Sequence, residues 1–263
     1  MSTLLYPLRD SATMLRRNLL HVRRYPSMTV QLIGTPIVLL LLFVYVFGGT
    51  MGAGLPGASG GRAEYLAYII PGIMLMTAAT VAQGTAISVS MDMTEGIVAR
   101  FRTMSISRGS IFTGHVLGST IQSVISVAVV VGVAMLLGYR PATNGFGWLG
   151  AVGVMALGGF ALAWITTAIG MISKNIEIAS SLPMPLMMLP FLGSGFVPTD
   201  SMPTGLRWFA EYQPFTPMME SLRGFLTGQP DTAATWATVA WCLGLSLVGY
   251  LWSRSRFESA SAT

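Results

Sequence analysis

The chain has 263 residues, of which 15 are Lys or Arg and 10 are Asp or Glu. Charged residues make up 10% of it and hydrophobic residues 52%, whereas an ordinary soluble domain is about 25% charged. Too few charges are present to solvate a globular surface of this size, and too many apolar residues for disorder.

In chain order, the first informative segment is residues 8–25. Leu8, Ala12, Leu15, Leu19 and Val22 recur at steps of four and three, which places them on one helical face. Arg16, Arg17, Arg23 and Arg24 border that face, Tyr25 suits the boundary between water and lipid, and Pro26 ends the pattern. This predicts a basic amphipathic helix within residues 1–26, lying in the membrane surface and anchored by those arginines and Tyr25. Contact with a cytoplasmic partner is compatible with the same helix. The apolar run that follows starts too late and is too long to be the core of a signal peptide.

Six stretches carry no Asp, Glu, Lys or Arg: 25–61, 65–91, 109–139, 141–173, 178–199 and 232–253. Each can hold the ~20 apolar residues that cross a bilayer as a helix. Spans are expected at 28–48, 65–91, 110–138, 147–172, 178–197 and 232–253, within a membrane region 27–253 followed by a cytoplasmic tail, 254–263. If the N-terminus is inside, 11 of the 15 positive charges fall on the cytoplasmic side and 4 on the other. The positive-inside rule therefore predicts cytoplasmic N- and C-termini in a multi-pass protein of the cell membrane. Basic residues that flank apolar runs point to a membrane surface and not to nucleic acid.

Between the second and third spans, residues 92–108 are too long for a plain connection. Thr94 is suited to cap a helix start and Glu95 to its positive end, with Arg100 and Arg102 further along. Ile97, Phe101 and Met104 share one face. A short helix with one apolar face fits a groove on another protein, or packs on lipid.

The fifth span is interrupted by Pro183, Pro185 and Pro190. The backbone carbonyls that prolines free inside a membrane must be buried in protein or face water. Met184, Met187, Met188 and Phe191 are expected on one adaptable apolar face, a candidate substrate cleft or a packing surface between helices. Residues 198–231 are too polar to span and too apolar for a free loop. Pro203, Trp208, Phe209 and Tyr212 suggest one short helix; Thr216 and Pro217 start another, which Gly228 stops. Pro203, Trp208, Pro214, Pro217 and Glu220 are the candidate outer gate, the alternative being an interfacial lid without a gating role. Gly114-x-x-x-Gly118 is a weak signal for close helix contact among 30 glycines.

The expected span cores hold no acidic or basic relay for ion coupling. His21 and His115 lie near membrane edges with no visible carboxylate partner, Cys242 is alone, and no metal-ligand spacing is present. A catalytic site is not expected. The lone lysine, Lys174, follows Met-Ile-Ser, so this chain has no phosphate-cradling loop ending in Gly-Lys-Ser/Thr.

Taken together, the basic N-terminal helix, the six spans, the stretch E-G-I-V-A-R-F-R-T-M-S-I-S-R after span two, I-S-K-N-I-E after span four and G-F-V-P-T-D-S-M-P…F-A-E-Y-Q-P-F-T-P-M-M-E-S-L-R-G-F-L-T-G before span six resemble a permease of the type-2 ABC exporter family, in its daunorubicin/doxorubicin-resistance branch. The resemblance runs over nearly the whole chain. It implies an all-α integral membrane protein of six transmembrane helices, with an N-terminal interfacial helix, a cytoplasmic coupling helix and short outer-leaflet helices between spans five and six. It further implies that Glu95, Gly96, Ile97, Arg100, Phe101, Arg102 and Arg108 seat on a separate ABC ATP-binding subunit, which carries ATP and Mg, this chain having no cofactor. Many family members have Pro where Met104 or Ser105 stands here. A second permease chain, usually identical, and a hydrophobic or amphipathic substrate complete the implied assembly. An ion-coupled drug transporter, or a membrane immunity protein that binds without transport, are the alternatives. Reversing the charge of Arg100 and Arg102 together should abolish drug efflux while the protein still reaches the membrane; unchanged efflux would refute the coupling assignment.

Overall fold

The structure, a computed structural model, describes residues 26–53, 61–94 and 110–259. The expected N-terminal helix with Arg16, Arg17, Arg23, Arg24 and Tyr25, and the coupling residues Glu95, Gly96, Ile97, Arg100, Phe101, Arg102 and Arg108, lie outside the described residues.

Every regular element among the described residues is helical. The first apolar run forms α1 (Pro26–Leu42), a π-helical turn (Phe43–Phe47) and α2 (Gly48–Ala53). Three long helices follow: α3 (Arg62–Thr94), α4 (Ser110–Leu136) and α5 (Gly145–Ile172). The last long helix, α10 (Thr232–Ser259), continues through most of the expected cytoplasmic tail, so that tail begins as helix. Among the described residues, five helical runs are long and apolar enough to cross a membrane: Leu32–Ala53, α3, Phe112–Leu136 within α4, α5, and Thr232–Arg256 within α10.

In the region of the expected fifth span, 178–197, the chain forms α6 (Ile176–Ser181), a turn at Leu182 and Pro183, α7 (Met184–Met188) and a 3-10 turn over Leu189–Leu192. The cause is local. Pro183, Pro185 and Pro190 carry no N–H and cannot continue the ladder. Thr94 is the last described residue of α3 and donates its hydroxyl to the carbonyls of Ser90 and Met91; the helix it was expected to cap lies outside the described residues.

Helix α3 is the axis of the bundle. Its most apolar window is 89% buried, against 22% for the first apolar run and 17% for α10. Around it pack α1, α4, α5, α6 and the later helix α9 (Phe215–Thr227). Helix α10 lies on the far side of α5. At 33 residues and about 1.5 Å per residue, α3 is about 50 Å long, more than the ~30 Å of a hydrocarbon core.

Small residues permit this crowding. A Cβ placed on Gly170 of α5 would lie 2.6 Å from the Ala86 carbonyl oxygen and 2.9 Å from Val89 Cβ. A Cβ on Gly72 of α3 would meet the Gly195 carbonyl oxygen at 2.9 Å. At Gly153, also on α5, nothing lies within 4 Å. Gly170→Val should therefore cost about 1–3 kcal/mol by overpacking and lower the melting temperature in detergent. Gly153→Val should leave it within a degree or two of wild type, because surface substitutions away from packed features usually fall within about 0.5 kcal/mol.

Candidate functional site

The bundle is apolar along its length and polar at its two ends. One end is organised by α9. This helix is embedded: nine of its 13 residues are buried, with Met218, Met219 and Leu222 fully enclosed. Pro214 stands at its N-cap, and Gly228 stops it with φ of 75°, a left-handed conformation that glycine adopts without a Cβ clash. Thr143 Oγ1 donates to the Phe225 carbonyl at 2.6 Å, tying α9 to the entry of α5.

Arg223 does most of the tying. Its Nη1 is 2.6 Å from Glu220 Oε1, and its Nη2 donates to the Ser194 carbonyl at 2.8 Å and the Tyr68 carbonyl at 3.4 Å. The guanidinium carbon sits 4.3 Å from the centre of the Tyr68 ring, close enough for cation–π attraction. One side chain thus joins α9, the start of α3 and the turn that follows the broken segment.

The preceding helix α8 (Thr204–Tyr212) is different, with only Ala210 buried. Trp208 and Tyr212 are 67% and 65% exposed, their ring centres 5.5 Å apart. Arg207 bridges Asp200 and Glu211, each at 2.7 Å, in an exposed network. The candidate gate residues therefore divide. Pro203 and Trp208 belong to an exposed amphipathic helix, whereas Pro214, Pro217 and Glu220 belong to an embedded one.

The candidate cleft divides as well. Met184 and Met188 are 58% and 48% exposed, while Met187 and Phe191 pack against the core. Phe191 stacks on Phe196 with centres 4.7 Å apart and approaches Phe43 at 6.3 Å. The division falls within α7 itself: Met184 and Met188 stand one turn apart on its exposed side, while Met187 turns to the core with Phe191 one turn beyond it.

Two glutamines donate to carbonyls left open where the segment breaks. Gln83 Nε2 of α3 donates to the Ser180 carbonyl at 2.6 Å, and Gln213 Nε2 donates to the Leu189 carbonyl at 3.0 Å. Both carbonyls belong to the interrupted segment. Nothing local in the sequence pairs either glutamine with this segment.

At the opposite end, His115 Nε2 of α4 lies 2.9 Å from Asp92 Oδ2 of α3, and both residues are buried. This corrects the expectation that His115 lacks a carboxylate partner. One or two turns deeper, Thr85 Oγ1 donates to Ser119 Oγ at 2.7 Å across the same pair of helices. Near α5's exit, the Asn175 carboxamide accepts from Ile178 N–H at 2.8 Å and caps α6, with Lys174 and Glu177 exposed beside it. Among the described residues, no cluster of three His, Cys, Asp or Glu side chains could hold a metal ion. Cys242 is a free, buried thiol.

An all-helical bundle, several of whose helices could cross a membrane, with irregular backbone repaired internally, defines a multi-pass membrane protein. Residues 10–227 match the ABC-2 type transporter family, and the chain belongs to it. It is 26% identical over 238 residues to the daunorubicin resistance ABC transporter permease protein DrrB1 of Streptomyces coeruleorubidus, covering 90% of this chain and 81% of that one. It is also 25% identical over 239 residues to the probable doxorubicin resistance ABC transporter permease protein DrrC of Mycobacterium tuberculosis, covering 90% of this chain and 84% of the relative.

The Arg223 cluster yields a stability test. Arg223→Met removes the partner of Glu220, whose side chain is 39% exposed and so partly screened. The expected loss is about 1–2 kcal/mol, seen as a lower melting temperature in detergent. Arg207→Met, in the exposed network, should leave the melting temperature unchanged.

Proposed function

We propose that this chain is the permease subunit of an ABC exporter that moves hydrophobic or amphipathic compounds outward across the cell membrane. The observation that carries the reading is the family match over residues 10–227, joined to relatives that are drug-resistance permeases. Two features of the chain support it. It contains no phosphate-cradling loop, so a separate ABC subunit would bind ATP and Mg and do the hydrolysis. The charged pairs described above sit toward the two ends of the helices and not at mid-membrane, which leaves the span centres without an ionisable relay.

In this reading the chain crosses the membrane six times, the sixth crossing being the broken segment Ile176–Leu192 beside α3. The positive charges set the Asp92 end inside, and both termini with it. The Arg223 end then faces outward, where α8 and α9 cover the bundle. Residues 95–108 dock on the ATP-binding subunit, and a second copy of this chain completes the pathway. Substrate enters against Met184, Met188 and the neighbouring apolar surface. ATP binding in the partner shifts the equilibrium between inward- and outward-open arrangements of the two copies.

Purification from native membranes in mild detergent tests the scheme. The chain should bring down an ATPase whose hydrolysis rises severalfold with an anthracycline such as doxorubicin, and the reconstituted complex should move that drug only with ATP. The buried Asp92–His115 pair keeps ion coupling worth an explicit arm. Transport by the lone chain driven by an ion gradient would replace the proposal with a secondary transporter. Drug binding with no energy-dependent movement would indicate an immunity protein.

A further inference from the structure

The coupling assignment leaves a mechanical question: what makes a push on residues 95–108 move two helices together? That segment is bracketed by the end of α3 and the start of α4. Two helices joined only by packed apolar side chains can slide or splay at their ends, because dispersion contacts have little directional preference.

Asp92 lies two residues before the last residue of α3, and His115 lies five after the first residue of α4. Their 2.9 Å contact therefore joins the roots of the bracketed segment. Both residues are buried, at 7% and 6% exposure. A buried carboxylate is costly to leave without a donor, so separation of the two roots is opposed by the desolvation of both groups. The Thr85–Ser119 bond is a second tie deeper along the same interface. The Thr94 hydroxyl folds back onto the Ser90 and Met91 carbonyls beside Asp92. Together these contacts make the exit of α3 and the entry of α4 one rigid body at the level where an outside subunit would act.

We propose that Asp92 and His115 form a positioning pair that transmits motion of the segment between α3 and α4 to both helices as a unit, so that ATP hydrolysis in the partner is converted into transport. This rests on reading residues 95–108 as the coupling segment. Asp92 and His115 contact neither ATP nor substrate; they act by keeping two helix ends in register.

The test measures doxorubicin moved per ATP hydrolysed in inverted vesicles that carry the chain with its co-purifying ATPase. Asp92→Asn and His115→Gln should each leave the complex assembled and hydrolysing ATP within about twofold of wild type, while drug moved per ATP falls at least ~10-fold, a loss in the range of ordinary coupling energies. The double exchange Asp92→His with His115→Asp restores the pair in reverse and should recover the ratio to within about threefold. An unchanged ratio in Asp92→Asn overturns the proposal. So does a loss of assembly or transport that the double exchange fails to repair, since a general packing defect would not be rescued by swapping the charges. If the wild-type chain brings down no ATPase or moves no doxorubicin with ATP, the permease reading falls and the pair's role with it; wild-type transport with an indifferent pair refutes the pair alone.

Discussion

A backbone carbonyl that loses its helical partner inside hydrocarbon has no water to turn to, and this constraint organises the molecule. Prolines interrupt the segment Ile176–Leu192, so its exposed carbonyls must find donors within the protein. Gln83 and Gln213 are those donors at Ser180 and Leu189. Gln83 can reach only because the broken segment lies against α3, and the Gly72–Gly195 approach allows that contact further along. The deeply buried α3 is thus both the packing axis and the template on which an irregular segment is made tolerable.

Polar side chains are used sparingly and in consistent places. Arg223 gathers α9, the start of α3 and the Ser194 turn at one end. Asp92 and His115 fasten α3 to α4 at the other. Between them most of the contacts are apolar, and such contacts tolerate small shifts between helices far better than oriented ion pairs do. A bundle that is pinned at its ends and smooth through its middle suits a protein whose work is to let helices move relative to one another while each end keeps its connections.

Much of the architecture was legible in the chain. The charge-free stretches marked the long helices to within a few residues, because transfer of apolar side chains out of water is a local property summed along the sequence. Gly228 announced the stop of α9, and the aromatic run after Pro203 announced α8. What failed was extrapolation of regular geometry. Met184, Met187, Met188 and Phe191 were placed on one face, yet Met187 and Phe191 turn to the core while Met184 and Met188 stay exposed. Helix α3 offered no polar stripe to reveal its inward face, since a helix apolar all round is buried all round.

By itself, then, the sequence determined that this is a membrane protein, where its long helices run, and which family it belongs to, all of which depend on composition and on motifs contiguous in the chain. Only the tertiary structure decided which helix is central and which polar groups meet. Asp92 with His115, Gln83 with Ser180 and Arg223 with Tyr68 are separated by 23, 97 and 155 positions. Whether such residues touch depends on the rotation and register of packed helices, and those are set by the sum of many side-chain contacts that no local stretch encodes.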